Sequence, residues 1–568
     1  MILRPRFSPI TLSVVFSLTL SGCATRAPAP AAMAPIEINL VALNDFHGHL
    51  EASKFVYTSA RDQQETSIMA GGIDNLAAAL QAFRLEDKDL VLVGAGDLVG
   101  ASPAMSSMWA DEPSIVALGM LGLRVSSVGN HEFDLGRAEL LRKQHGGCQS
   151  VQAAKACKLA PDFSGAPFGY LAANVIDSVT GRPLLPAYSI QNVKGVQVAF
   201  IGAVLKGTAQ VVIASGIAGL AFTDEAHAIN QALTEARAQG ASVFVALIHE
   251  GGSTTERFDQ LDCSALKGPI VDIARRLDPA IRLIISGHSH QGFQCKVDGR
   301  VITQAQMGGH VLSRIRLSID AASGAVRDIV VRNVPVRQGE YPADAKVSAY
   351  LASVKASSTA ALARPVARVM ARSMLRKTND AGQSPLGGMI ADAIVEATRA
   401  QGAQIGFMNS GGMRSDFAVG DNLIATFSQA QGVLSFSNTL VVMALRGVQL
   451  RALLEQQWQR QDPDADGHAM LQASSGLSYR WNSALPKGQR VLADSIRVNG
   501  VPLDDAQVYK VVVNNFLAEG GDGFSLFTQA SNKVDTGIVD LDAFIALLVK
   551  NAGDGVKAAA APRIERVK

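Results

Sequence analysis

Ile36-Glu37-Ile38-Asn39-Leu40-Val41-Ala42-Leu43-Asn44-Asp45-Phe46-His47-Gly48-His49 is a short apolar run that ends abruptly in a polar cluster. The same form recurs along the chain. Leu90 to Val93 leads into Gly94-Ala95-Gly96-Asp97, and Val125 to Val128 into Gly129-Asn130-His131-Glu132-Phe133-Asp134. Val243 to Ile248 leads into His249-Glu250-Gly251-Gly252, and Ile281 to Ile285 into Ser286-Gly287-His288-Ser289-His290. Val196 to Ile201 is a further apolar run. Short runs rich in β-branched residues read as strands, much of their sheet buried on both faces. Patterns at helical spacing lie between several of them, at Ile73 to Arg84 and Glu225 to Ala238. Strands alternating with helices predict an α/β layered domain. Ligands of open α/β sheets gather beyond the carboxyl ends of the strands, so the five polar clusters are expected to converge.

The whole chain has 568 residues, too long for one ordinary domain. With 48% hydrophobic and 18% charged residues it can bury sizeable cores, which excludes a disordered or fibrous protein. Lys plus Arg number 52 against 50 Asp plus Glu, so no nucleic-acid partner is expected. The domain count therefore starts at two or three: residues 36–340 read as the first domain, and 364–568 as a second mixed region. The second has its own helices (Leu386 to Arg399, Gly447 to Gln459) and a strand (Val508 to Val513). Ala-rich, polar Tyr341 to Leu362 reads as a connecting helix, within 341–363.

The N-terminus reads as an export signal. Arg4 and Arg6 precede an apolar stretch, Ile10 to Leu20, too short to span a bilayer comfortably. It ends in Leu20-Ser21-Gly22-Cys23, which resembles the lipobox of bacterial lipoproteins. That resemblance implies a signal peptide over 1–22, acylation of Cys23, a flexible tether over 23–35 and a lipid anchor on the periplasmic side of a bacterial membrane. An ordinary signal peptide cut near Ala24 or Ala34 is the alternative. Cys148, Cys157, Cys263 and Cys295 make an even number in an exported chain, which predicts two disulfides. Local pairing, Cys148 with Cys157 and Cys263 with Cys295, is expected among three connectivities; four buried free thiols are the alternative.

In their order the five clusters resemble the calcineurin-like metallophosphoesterases, with their Asp-x-His, Gly-Asp, Gly-Asn-His-Glu, His and Gly-His-x-His blocks. The resemblance covers nearly all of residues 36 to 300. It implies a four-layer sandwich and two divalent ions roughly 3.5–4 Å apart, which clamp a phosphoryl group and generate a hydroxide for in-line attack. By the same resemblance Asp97 bridges the ions, Asp45, His47 and His290 complete one site, and Asn130, His249 and His288 complete the other. Mixed nitrogen and oxygen donors suit Zn, Mn or Co, with Ca also open. In many nucleotidases of this kind the position of His290 holds Gln or Asn, a departure that leaves the metal undetermined. His131, oriented by Asp134, is implied to support the leaving oxygen. His49 is read either as a support behind the ligands or as structural, and not as a ligand.

Three segments stand out in the second region: Asn409-Ser410-Gly411-Gly412-Met413-Arg414, Ser435-Phe436-Ser437-Asn438, and Asn515-Phe516-Leu517-Ala518-Glu519-Gly520-Gly521-Asp522-Gly523-Phe524. Gly-rich turns admit a ligand close to the backbone, Arg offers a fork for phosphate, and aromatic rings stack on bases. Together they resemble the carboxyl-terminal domain of secreted 5'-nucleotidases, including periplasmic UDP-sugar hydrolases and ecto-5'-nucleotidase. That implies a second, mixed α/β nucleotide-binding domain that rotates relative to the first. Phe436 and Phe516 would sandwich the base, Asp522 bind ribose, Asn409 and Arg414 meet the sugar–phosphate end, and Asn438 lie near the base edge. Family members also carry phosphate-binding arginines before the helix at Leu386. Here Asp380, Ala381 and Gly382 stand there, with Arg376 and Lys377 a few residues earlier.

The expectation is a monomeric, lipid-anchored two-metal phosphohydrolase that releases nucleoside and phosphate from nucleotides. Hydrolysis of 2',3'-cyclic nucleotides, UDP-sugars or sulfur esters at the same centre, or a non-catalytic nucleotide-binding lipoprotein, are the alternatives.

Overall fold

The computed structural model describes residues 1, 34–61, 63–458, 470–552 and 562–567. The signal peptide beyond Met1, Cys23 and the tether through residue 33 lie outside the described residues. Among those described, no helix is long and apolar enough to cross a membrane.

Two six-stranded sheets build the first domain. One runs in the order Val326–Pro335, Val311–Ile319, Ile36–Leu43, Val91–Ala95, Leu123–Ser127, Gly169–Leu171. The other runs Gly292–Val297, Arg300–Ala305, Ile281–Ser286, Val243–His249, Val196–Val204, Tyr188–Val193. Central strands of both sheets pair in parallel, so their carboxyl ends share an edge.

The alternation of side chains explains why these strands are apolar throughout. In Ile36–Leu43, Ile38, Leu40 and Ala42 face a core that also holds Val198, Phe200, Val245, Leu247, Leu283 and Ile285 of the other sheet. Val41 and Leu43 face the opposite way, onto Leu76, Leu80 and Phe83 of the helix Ile73–Glu86. Across the sandwich, Ala199, Ile201, Phe244, Ala246 and Ile248 meet Ile229 and Leu233 of the helix Glu225–Ala238 and Ile270 and Ile273 of Pro269–Arg276. The central strands therefore bury both faces, and the four layers run helix, sheet, sheet, helix.

The helix Ala345–Leu362 leaves this domain. It starts at Asp344, whose carboxylate accepts from the Lys346 and Val347 amides at 2.9 and 3.0 Å, and not at Tyr341. It touches the first domain through Val347, Val354 and Ser358, the last accepting from Trp109 Nε1 at 2.9 Å.

The second domain has a five-stranded sheet in the order Gln472–Ala473, Ile405–Met408, Val508–Asn514, Thr439–Arg446, Ser531–Val539. The helix Gly447–Gln456 packs Leu450, Leu453 and Leu454 on one face of it. The helix Pro385–Ala397 packs Leu386, Met389 and Ile390 into a separate core with Leu541 and Phe544. The two disulfides pair locally, Cys148 with Cys157 and Cys263 with Cys295.

Candidate active site

The loops after the central strands interlock through their backbones. Asp45 N donates to Gly96 O at 3.0 Å, His47 N to Asp97 O at 2.9 Å, and His288 N to the Asp45 carboxylate at 3.0 Å. These bonds hold Asp45, His47, Asp97, His288 and His290 in left-handed backbone, with φ of 49°, 45°, 50°, 71° and 55°. Non-glycine residues adopt that region at a cost of about 1–3 kcal/mol each, and keep it only where the surroundings dictate it.

Two donor groups result, and Asp97 belongs to both. Asp45, His47, Asp97 and His290 form one; Asp97, His249 and His288 form the other. In the first, His47 Nε2 stands 3.1 Å from His290 Nε2 and 3.6 Å from Asp97 Oδ2, and His290 Nε2 stands 3.4 Å from Asp45 Oδ1. In the second, His249 Nε2 lies 3.0 Å from Asp97 Oδ2, and Asn130 Oδ1 lies 3.0 Å from His288 Nδ1. Asp45, His47, Asp97 and His249 are buried almost completely.

These residues fit divalent ions. His47 Nδ1 donates to Gly100 O at 2.8 Å and His249 Nδ1 to Ala95 O at 2.7 Å, which leaves each Nε2 directed into the site. Donor atoms 3.0–3.6 Å apart suit ligands that share one ion at about 2.0–2.2 Å. The site also demands positive charge. Burial opposes protonation of His249, yet Asp97 and then Asp45 push its pKa up to about 10.

Beside this centre His131 Nδ1 meets Asp134 Oδ2 at 2.8 Å, and His131 N donates to Asp97 Oδ1 at 2.9 Å. Burial works against its charge, but Asp134 and Asp97 outweigh burial and raise its pKa. His49 lies apart from the donor groups, its ring 6.4 Å from that of His310, and burial drives its pKa down to about 3.

Glu132, within the Gly129-Asn130-His131-Glu132 motif, has a role that the sequence did not announce. Its buried carboxylate accepts from Asp97 N at 2.9 Å, Leu98 N at 2.8 Å, Val99 N at 3.3 Å and Gly129 N at 2.5 Å. It thus ties two of the loops together. Burial, and then Asp97, raise its pKa to about 7.

A cavity of about 190 Å³ opens between the domains. Asn130, His131, Asp134 and His288 line it from the first domain; Asn409, Arg414, Phe436, Asn438, Phe516 and Asp522 line it from the second. All six of the substrate-binding residues expected from the sequence are therefore together. Asn514 Nδ2 donates to Asn409 Oδ1 at 3.0 Å, and Asn409 Nδ2 donates to Asp522 Oδ2 at 2.8 Å, so the three are fixed as a row. Phe436 lies nearly flat against His131, ring centres 5.6 Å apart at 22°, with the Arg414 guanidinium 5.6 Å from its ring centre. Arg376 does not line the cavity; its guanidinium donates to Met413 O at 3.0 Å, directly before Arg414. Val211, Val212 and Ile213 add an apolar wall from the first domain that no polar motif announces.

Comparison with known proteins agrees with both halves. Residues 38–292 match the calcineurin-like phosphoesterase family, and residues 359–529 match the 5'-nucleotidase C-terminal domain. Endonuclease YhcR of Bacillus subtilis is 30% identical over 502 residues; that match covers 88% of this chain but only 38% of YhcR. Cell wall protein Lmo0130 of Listeria monocytogenes is 30% identical over 557 residues, covering 92% of this chain and 68% of the relative. The crystal structure of the 5'-nucleotidase precursor from Thermus thermophilus superposes with a TM-score of 0.73 at 27% identity, over 94% of this chain and 99% of that one.

Proposed function

Because the chain belongs to the calcineurin-like phosphoesterases that carry a 5'-nucleotidase C-terminal domain, we propose that this hydrolase removes the 5'-phosphate of nucleoside monophosphates. The carrying observation is the single cavity shared by the centre around Asp97 and the second domain's Arg414, Phe436, Phe516 and Asp522. Asp45, His47, Asp97 and His290 would hold one divalent ion, and Asp97, Asn130, His249 and His288 the other. Bound there, two ions supply neutralisation of the phosphoryl oxygens and activation of the attacking water.

The chain's own residues do the rest. Arg414 recruits the phosphate; burial lowers its pKa, yet a guanidinium stays charged near neutral pH. His131 is pinned through Nδ1 by Asp134, so its Nε2 is the atom that hands a proton to the departing 5'-oxygen. Burial pulls the pKa of His131 down, but Asp134 and then Asp97 raise it on balance, which favours the protonated ring. Phe516 offers a stacking face for the base, and Asp522, fixed by Asn409, accepts from ribose hydroxyls. Cys23 would tether the enzyme to the periplasmic side of a bacterial membrane, for salvage of phosphate and nucleosides.

The test uses the soluble form, residues 24–568, stripped with chelator. AMP, UDP-glucose, 2',3'-cyclic AMP and an aryl phosphate are each offered with Mn, Zn, Co or Ca restored, and products are followed by phosphate release and chromatography. Metal-dependent hydrolysis favouring AMP is expected. Activity on the aryl or cyclic ester alone would remove the second domain from substrate choice. Binding of AMP without turnover would make the chain a receptor. For the anchor, Cys23→Ala should move the protein from the membrane to the soluble fraction; unchanged membrane retention would reject lipidation.

A further inference from the structure

The loop closed by the Cys148–Cys157 disulfide lies in the first domain and contributes no residue to either donor group around Asp97 or to the cavity wall. It is nevertheless held with unusual care. Glu112, buried, accepts from Cys157 N at 3.0 and 3.1 Å, and the Arg142 guanidinium bonds Glu112 at 2.8 Å, Glu139 at 2.7 Å and Gly147 O at 2.9 Å. Ser150 Oγ donates to the other Glu139 oxygen at 2.8 Å. Ala156 is buried. A disulfide and a buried ion-pair network thus fix the same ten residues from both ends.

What this rigid loop presents is Lys155. Its ammonium crosses the domain boundary and donates to Ser437 Oγ at 3.2 Å. Ser437 sits between Phe436 and Asn438, both in the cavity wall, and holds a left-handed φ of 58°. A serine keeps that backbone only where neighbours enforce it. The segment is secured elsewhere too: Gln431 Nε2 donates to Ser107 Oγ of the first domain, and Asp540 N donates to Asn438 O at 2.9 Å.

We propose that Lys155, on its disulfide-closed loop, is a positioning residue that docks the Ser435–Asn438 loop and so aims Phe436 and Asn438 at the nucleotide. The inference rests on the reading of the second domain as the nucleotide site. Lys155 touches no reacting atom; it acts through Ser437. An ammonium bond made only when the domains are docked contributes to nucleotide binding and leaves phosphoryl chemistry alone.

Lys155→Met keeps the aliphatic stem and removes the ammonium. It should raise KM for AMP about tenfold with little change in kcat, and leave kcat/KM for a small aryl phosphate within about twofold. Lys155→Arg should recover most of the loss. Ser437→Ala should reproduce the effect, and the double variant should be no worse than either single one, because both remove the same bond. Replacing Cys148 and Cys157 with Ser together should shift KM in the same direction. Amide exchange across residues 435–438 should be faster in Lys155→Met than in the unaltered protein. Unchanged exchange together with unchanged KM would overturn the proposal, as would fully additive effects of the two single variants. An unaltered protein that prefers the aryl phosphate to AMP would reject the nucleotide reading, while the exchange comparison would still decide whether Lys155 orders the loop.

Discussion

Asp97 and His131 are joined by one hydrogen bond, from His131 N to Asp97 Oδ1 at 2.9 Å, yet their replacement should have different consequences. Asp97 belongs to both donor groups, so Asp97→Ala should abolish turnover and lower the metal content measured by mass spectrometry. His131→Ala should lower kcat by about 10²–10⁴ with metal content intact. A His131→Ala enzyme of near-normal rate would remove the proton-donor role. Away from this centre, Asp540 gives a test of pH and stability. Burial raises its pKa to about 7, despite hydrogen bonds from Leu541 and Asn438 that favour the charge. In the unfolded chain the group ionises near 3.9, about the ordinary value. Between pH 4 and 7 the unfolded chain releases the proton that the native protein keeps, so native stability falls as pH rises, by up to about 1.4 kcal/mol per unit, and levels off above 7. Asp540→Asn removes that loss. Its stability relative to the unaltered protein should therefore grow from pH 5 to pH 8 in urea unfolding; a constant difference would contradict the burial argument. The convergence of the clusters was legible because five of them follow apolar runs in one domain, where any one alone would read as an ordinary polar turn. Their left-handed backbone was not, since it is imposed by partners such as Gly96 O and Asp97 O that are distant in sequence.

Strand runs and their clusters could be read from the chain, and so could the helix Glu225–Ala238, because one apolar stripe faces one core. At several strands the expectation stopped short at the carboxyl edge, whereas Leu123–Ser127 starts two residues before the expected Val125 and ends one before Val128. Val196 was expected to run to Ile201 but the strand continues to Val204, and Val243–His249 and Ile281–Ser286 each take in the first polar residue. Pairing with the next strand, not the local sequence, decides that boundary. Glu132 is the element-scale counterpart: it looked like one more polar letter of a motif, and it is the joint between two loops. Glu132→Ala would leave buried amides of Asp97, Leu98 and Gly129 without their acceptor, at roughly 1–3 kcal/mol each. A loss of thermal stability by several degrees is expected with activity, measured by calorimetry. A variant as stable as the unaltered protein would show that these amides find other partners.

The cavity belongs to neither domain alone, which is why its aliphatic wall, Val211 to Ile213, and the stacking of Phe436 on His131 carried no signal in the sequence. That stacking separates the two aromatic residues. Phe516→Ala should raise KM for AMP about tenfold and spare an aryl phosphate, whereas Phe436→Ala, which deletes outright the ring packed on the proton donor, should impair both substrates. Lys155→Met keeps that ring and only loosens the loop that carries it, so it spares the aryl phosphate. Equal loss on both substrates in Phe516→Ala would take Phe516 out of base recognition. Docking itself has a third polar latch, besides Lys155 to Ser437 and Gln431 to Ser107. The Glu519 carboxylate accepts from Ser215 N at 2.9 Å and from Ser215 Oγ at 3.1 Å, both exposed, and Ser215 follows the aliphatic wall by two residues. Solvent competes for such bonds, so the pair contributes about 1 kcal/mol to the docked arrangement, equivalent to about fivefold in its population. Glu519→Ala should therefore raise KM for AMP by no more than about fivefold, leave aryl phosphate turnover unchanged, and add to the effect of Lys155→Met, because the two contacts lie on different elements. A Glu519→Ala enzyme with an unaltered KM would mean that Lys155, Gln431 and the packed rings hold the domains together without it.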